Sequence, residues 1–309
     1  MIILYIFIFL LFILLTLSLY ILKNLLFNKL KTDESLKNYN IRTFSSQWYE
    51  KINSWYKQSK REYFKIPSKF GYDLDCYEIK NNLNRYVIVL HGVTTNKEFV
   101  KKFSYLYNQL GFSIIAVDSR HHGLSGGKNI TYGFYEKYDV LNVVNYIKEK
   151  RGNDIIIGIH GESMGAAILL SYASMIEDGC SFYVADCPYS NLYEQILSTI
   201  KTTIKLPSFI NDLIIRITFL ISKTIFKIDL NSIDIKKNIK NIKKPILFLT
   251  AKNDDYIPTW MTTELYAEST GDNKEIHMFN DGFHAGSYNY QPEEYIETVK
   301  EFLKKYIEK

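Results

Sequence analysis

A serine attacks a carbonyl carbon when a base can take its proton and a turn holds its hydroxyl clear of the chain. The run Gly161-Glu162-Ser163-Met164-Gly165 offers that placement. It follows the β-branched stretch 154–160 and opens a segment rich in Ala and Leu, so Ser163 falls on a tight strand-to-helix turn. A side chain at either flanking glycine would collide there with strand or helix. The hydroxyl then stands at a helix N-terminus, whose amides favour developing negative charge.

The base must be oriented by a carboxylate, and in a strand–turn–helix arrangement of this kind the partners follow in the order Ser, acid, His, each after a later strand. Asp254 and Asp255 follow the strand-like run 245–250 in TAKNDDYIP, and His284 follows 274–279 in FNDGFHAGS. Asp254 is the expected acid, because it lies in the loop while Ile257-Pro258 starts the next element. Asp255 is expected to cap a turn or helix. The backbone N–H groups of Met164 and of Val93, in His91-Gly92-Val93-Thr94 after the strand 84–90, are the expected oxyanion donors. His91, His121, His122, His160 and His277 are read as structural histidines, leaving His284 as the base.

The elements that must position these groups alternate along the chain. Strands are predicted at 84–90, 113–118, 154–160, 181–186, 245–250 and 274–279, with helices near 97–110, 133–150, 164–177, 259–270 and 292–307. Runs 61–66 and 73–79 around Ser68-Lys69-Phe70-Gly71 read as a hairpin. Continuous apolar strands separated by helices predict an α/β fold with a mostly parallel, doubly wound sheet. The interval 188–244 is too long for one crossover and is read as a helical insertion over the C-terminal edge of the sheet, where such sheets bind ligands. Within it, 206–226 is apolar, but Asn211, Asp212, Arg216 and Lys223 argue against a membrane span.

The chain starts differently. Residues 1–22 carry no charged side chain, and as a helix they would extend about 33 Å, enough to cross a bilayer core. No basic n-region or small-x-small cleavage site marks a signal peptide, so an uncleaved single-pass anchor is expected. Residues 23–60 form a basic juxtamembrane segment, ending in an amphipathic helix over 45–58 with Trp48, Ile52, Trp55 and Tyr56. Residues 61–309 form the catalytic domain. Lys23, Lys29, Lys31, Lys37 and Arg42 after the anchor favour a cytoplasmic domain and contact with anionic lipid.

The composition agrees with this division. The 309 residues carry 38 Lys+Arg against 33 Asp+Glu, a net charge of +5, and are 47 % hydrophobic, which excludes a disordered or collagen-like chain. The surplus is local: 13 basic and 7 acidic side chains over 23–85, against 25 and 26 over 86–309. So small an excess gives no reason to expect nucleic acid as a partner. Cys76, Cys180 and Cys187 show no C-x-x-C spacing, so free thiols are expected and neither a disulfide framework nor a zinc site.

The segments HGVTTN, DSRHHGLSGG, GESMGA, AKNDDYIP and GFHAGSY occur in the order and spacing of the α/β-hydrolase superfamily. The chain resembles bacterial membrane-anchored serine hydrolases of the serine aminopeptidase-like and monoglyceride lipase-like group over roughly residues 61–309. The resemblance implies a Ser163–Asp254–His284 triad, an oxyanion hole at Val93 and Met164, a lid at 188–244, and neither cofactor nor metal. Glu162 stands where many members carry His or Gln. DSRHHGLSGG looks like the family's turn after the fourth strand and is read as scaffold, with Asp118 and Arg120 in an ion pair. The expected activity is hydrolysis of a hydrophobic acyl ester or thioester through an acyl-enzyme. A serine peptidase is the alternative within enzymes, and a non-catalytic membrane-tethered binding module the alternative outside them.

Overall fold

The computed structural model describes residues 1–175 and 179–308. Three helices precede the sheet: α1 (Ile2–Leu26), α2 (Asp33–Thr43) and α3 (Ser46–Gln58). α1 outruns the uncharged segment by a full turn and takes in Lys23. α2 has no apolar stripe to announce it; its start is fixed by Thr32, whose hydroxyl accepts from the Ser35 N–H. α3 buries Ile52 and Tyr56 against the domain.

The domain follows as β1 (Glu62–Ser68), β2 (Tyr72–Ile79), β3 (Arg85–Leu90), α4 (Lys101–Gln109), β4 (Ser113–Val117), α5 (Glu136–Arg151), β5 (Ile156–Glu162), α6 (Met164–Met175) and β6 (Phe182–Asp186). Then come α7 (Leu192–Thr203), α8 (Ser208–Ile221), α9 (Ile235–Asn238), β7 (Ile246–Ala251), α10 (Thr259–Glu268), β8 (Lys274–Phe279), α11 (Ser287–Tyr290) and α12 (Pro292–Tyr306). Eight strands form one sheet in the order β1-β2-β4-β3-β5-β6-β7-β8, parallel from β4 onward, with β1 and β2 antiparallel at one edge.

Alternate residues of each strand feed opposite faces. Ile88 and Leu90 of β3 pack with α5 and α6, and Val87 and Val89 with α4 and α12. This two-sided cover explains the continuous apolar strands. The predicted strands and hairpin fall on observed ones. The helix expected over 97–110 begins only at Lys101, because 97–100 serve the loop after β3, where Asp118 Oδ1 accepts the Lys97 N–H at 2.7 Å. The last two positions of the helix expected over 164–177 lie outside the described residues.

Between β6 and β7 come α7, whose Ile196 and Ile200 face the end of β5 at Ser163, and α8, which a π-helical turn at Ser222–Phe226 ends. Pro207 separates the two helices, and the apolar stretch is helical from Ser208 through the π turn to Phe226, packed on the domain through Ile214, Ile215 and Phe219. α1 packs along α8: Ser18 Oγ donates to the Ile214 carbonyl at 3.2 Å, and Thr218 Oγ1 donates to the Ser18 carbonyl at 3.3 Å. Ile21, Leu22 and Leu26 join the main core, so the end of the apolar helix is part of the domain's packing.

Candidate active site

Ser163 sits between β5 and α6 with φ +56°, the left-handed region that a non-glycine residue adopts only when its surroundings hold it there. The turn is tight enough to demand glycine on both sides. A Cβ on Gly161 would lie 2.3 Å from the Gly165 carbonyl oxygen, and one on Gly165 would lie 2.4 Å from that of Leu90. The Ser163 N–H donates to the Asp186 carbonyl at 2.8 Å, tying the turn to the end of β6.

Loops after β7 and β8 bring the expected partners to it. His284 Nε2 is 2.8 Å from Ser163 Oγ, and His284 Nδ1 is 2.8 and 3.1 Å from the two Asp254 oxygens. Because Nδ1–H donates to the carboxylate, Nε2 is the acceptor for the serine hydroxyl. The Asp254 side chain is fully buried and that of His284 is 17 % exposed. Asp254 Oδ1 also accepts the N–H groups of Tyr256 and Ile257 at 2.9 and 2.8 Å, so it caps the turn itself. Asp255 does not take the capping role expected of it; its Oδ1 accepts the His284 N–H at 3.2 Å, steadying the histidine loop from the other side.

Val93 and Met164 both line the cavity at Ser163. Among the described residues, neither amide donates a backbone hydrogen bond in a loop or cap. Two of the histidines brace that loop. His91 Nε2 accepts the Ser119 N–H at 2.9 Å while its Nδ1–H donates to the Gly92 carbonyl at 2.7 Å, and His122 Nε2 accepts the Thr94 N–H at 3.3 Å. Burial pushes His91 down and His122 down to about 3, the latter with His91 adding to the effect, so both are neutral. His160 bonds the Tyr107 and Tyr295 hydroxyls beneath the turn, and burial likewise drives its pKa down.

One expected pair does not form. Asp118 binds Lys97, at 2.6 Å, with Asp75 the second carboxylate on that ammonium at 2.7 Å. Arg120 turns away, donating to the backbone and side-chain oxygens of Asn129 and lying over the rings of Tyr72 and Tyr135. A guanidinium satisfied by a carbonyl fork and two aromatic faces has no need of the carboxylate.

A buried ion pair behind Ser163 is not foreseen from the motifs. Lys102 Nζ lies 2.6 Å from Glu162 Oε2, both side chains being 2 % exposed or less. The one sequence signal is a lysine among the apolar Phe103 and Leu106 of α4 and Phe99 just before it. Burial also pushes the Asp186 carboxyl up to about 7, with the Glu162 charge adding to it, and Asp186 Oδ2 accepts the Tyr295 hydroxyl at 2.8 Å.

Two cavities of about 280 Å³ each meet at Ser163. The first is largely apolar, lined by Tyr132, Tyr189, Ile196, Ile200 and Ile257 together with the end of α1. The second is more polar and includes Lys31, Tyr39, Thr94, Thr95 and His284. Cys187 offers its sulfur within 4.8 Å of ligand atoms of Asp254 and His284. Burial raises that thiol well above its ordinary value, so it stays protonated and is a poor metal ligand.

Residues 81–215 match the family model described as serine aminopeptidase, S33. The chain is 37 % identical over 281 residues to the uncharacterized protein YqkD of Bacillus subtilis, spanning 90 % of this chain and 89 % of that one. It is 26 % identical over 248 residues to the lysophosphatidylserine lipase ABHD12 of Xenopus tropicalis, spanning 75 % of this chain and 61 % of that protein. Among solved structures, the esterase Pf2001 of Pyrococcus furiosus superposes with a TM-score of 0.67 at 23 % identity over 84 % of this chain and 95 % of the esterase. Est1E of Butyrivibrio proteoclasticus does so at 0.62 and 20 % identity, over 80 % of this chain and all of that one. At those identities the structural likenesses establish the fold, and with the sequence relatives they make the assignment: the chain belongs to the α/β-hydrolase superfamily, in the serine aminopeptidase S33-like group.

Proposed function

We propose that the protein is a membrane-anchored serine hydrolase that cleaves hydrophobic acyl esters or thioesters. The observation that carries this reading is the hydrogen-bonded series Asp254–His284–Ser163 ending at an apolar cavity. In it, Ser163 Oγ attacks the acyl carbon while His284 Nε2 takes its proton, and Asp254 holds the imidazole tautomer and the charge that forms on it. The N–H groups of Val93 and Met164 hold the oxyanion. Collapse expels the alcohol or thiol with the proton from His284, and a water deprotonated by His284 then releases the acid and restores Ser163.

Amide cleavage by the same groups is the second reading, favoured by the family model's description. An aminopeptidase needs an acidic group for the substrate's α-ammonium. Among the described residues, Glu162 is the only carboxylate lining the two cavities, and it is already paired with Lys102. The ester reading is therefore preferred over an aminopeptidase, and the bonded series Asp254–His284–Ser163 favours it over a non-catalytic binding module.

The anchor reading is supported by α1, whose mean hydropathy reaches 3.0, and the basic residues from Lys23 to Arg42 favour a domain on the cytoplasmic side. Residues 188–244 would act as the lid. A panel of p-nitrophenyl esters of increasing chain length, run beside amino-acyl amides, tests the substrate class. Preference for esters is expected; preference for the amides would overturn it.

A further inference from the structure

The cavity beside Ser163 has an unexpected wall. Tyr20, Ile21, Asn24 and Leu25 of α1 line it, at a spacing that makes one stripe of the helix. Facing them, Ile196, Thr199, Ile200 and Thr203 make the matching stripe of α7. Asn28, Val93, Ser163 and Tyr256 line both this cavity and the polar one. The apolar cavity therefore runs from Ser163, near Asn28, back along α1 toward Tyr20, some two helical turns or roughly 11 Å.

The depth of α1 says what lies at the far end. From Leu14 onward one face of it packs on the domain, through Leu14, Leu17, Ile21, Leu22 and Leu26, while Leu15, Leu19 and Tyr20 on the other face and the large side chains from Met1 to Ile13 are exposed. The free part, residues 2–13, is about 18 Å of helix, well short of a hydrocarbon core of about 30 Å. If α1 crosses a bilayer, its packed half must lie in the membrane too, and the domain must be sunk to that depth. The helix beside it, α8, exposes Phe209, Leu213 and Leu220, and its charged Asp212 and Arg216 are paired with each other at 2.6 Å.

We propose that the anchor helix is itself a wall of the acyl-chain site, and that the substrate is a single-chain acyl amphiphile drawn from the leaflet along α1. Its chain lies between α1 and α7, and its polar leaving group lies in the cavity that holds Lys31 and Tyr39. A cavity of about 280 Å³ is at the small end for organic ligands and suits one chain rather than two. This rests on the ester-hydrolase reading above.

The test uses full-length protein in detergent micelles, with p-nitrophenyl dodecanoate and p-nitrophenyl acetate as probes. Asn24 is exposed and points its face of α1 into the cavity, so Asn24→Trp adds bulk there without crowding the core. Its ratio of kcat/KM for dodecanoate over acetate is expected to fall by about tenfold or more, and that of Asn24→Phe to fall by less. An unchanged ratio in both variants, each still melting cooperatively, overturns the proposal while leaving the ester reading intact. Ester hydrolysis that survives in Ser163→Ala overturns the ester reading itself, and this inference with it.

Discussion

Lys102 Nζ lies 2.6 Å from Glu162 Oε2 and donates to the Ala285 carbonyl at 3.1 Å, so one buried cation joins the residue before Ser163 to the residue after His284. Ser163 and His284 are 121 residues apart in the sequence, and this contact ties their loops to each other. Lys102→Met leaves the Glu162 charge buried without a partner and is expected to cost about 3–5 kcal/mol of stability in urea unfolding. Lys102→Met combined with Glu162→Gln should recover most of that loss, since neither charge then remains. A double variant as unstable as the single one would show that the ammonium acts through something other than Glu162.

Asp254 and Asp255 are adjacent, yet only Asp254 reaches the imidazole. Asp254→Asn is expected to lower kcat for ester hydrolysis by on the order of 10⁴, through loss of the correct tautomer. Asp255→Asn keeps an oxygen able to accept the His284 N–H and should cost far less. Equal losses in steady-state kinetics would contradict the assignment.

At the elbow, Gly165→Ala places a methyl 2.4 Å from the Leu90 carbonyl oxygen. Overpacking against backbone that cannot move aside is expected to cost about 1–3 kcal/mol or more. Gly271→Ala is the control, because its Cβ would stand at an ordinary 3.5 Å from the Ile242 carbonyl oxygen. Thermal melts of the two should separate clearly, with the control near the unsubstituted protein.

Asp186 supplies a pH dependence. Its folded pKa of about 7 lies above the ordinary 3.8, so between these values the folded state holds a proton that the unfolded chain has released. Its contribution is full below about pH 4 and is lost as pH rises through about 7. Asp186→Asn cannot ionise, so the fall in stability from pH 4 to 8 should be smaller in the variant than in the unsubstituted protein, read by urea unfolding at each pH. A steeper fall in the variant would contradict the burial of a neutral acid at this position.

The parallel strands and the order Ser163, Asp254, His284 were legible in the sequence because both depend on local pattern: apolar β-branched runs, and loops that follow strands. The choice of Asp254 over Asp255 followed from the Ile257-Pro258 start of the next element. What stayed hidden depends on contacts between distant segments. No local pattern tells that Lys102 of α4 meets Glu162 at the end of β5, or that Asp118 takes Lys97 instead of the nearer Arg120. The helix at Asp33–Thr43 has no apolar stripe to reveal it. An uncharged N-terminal helix reads as an anchor from composition alone, and only its packing on α8 shows that its last turns belong to the cavity beside Ser163.

The account stands most directly on Ser163. A fluorophosphonate probe applied to the full-length protein and to Ser163→Ala, with ester hydrolysis followed in parallel, tests it in one measurement. The account predicts stoichiometric labelling and ester turnover in the unsubstituted protein, with both lost in a variant that still melts cooperatively. Undiminished labelling or turnover in Ser163→Ala would contradict it.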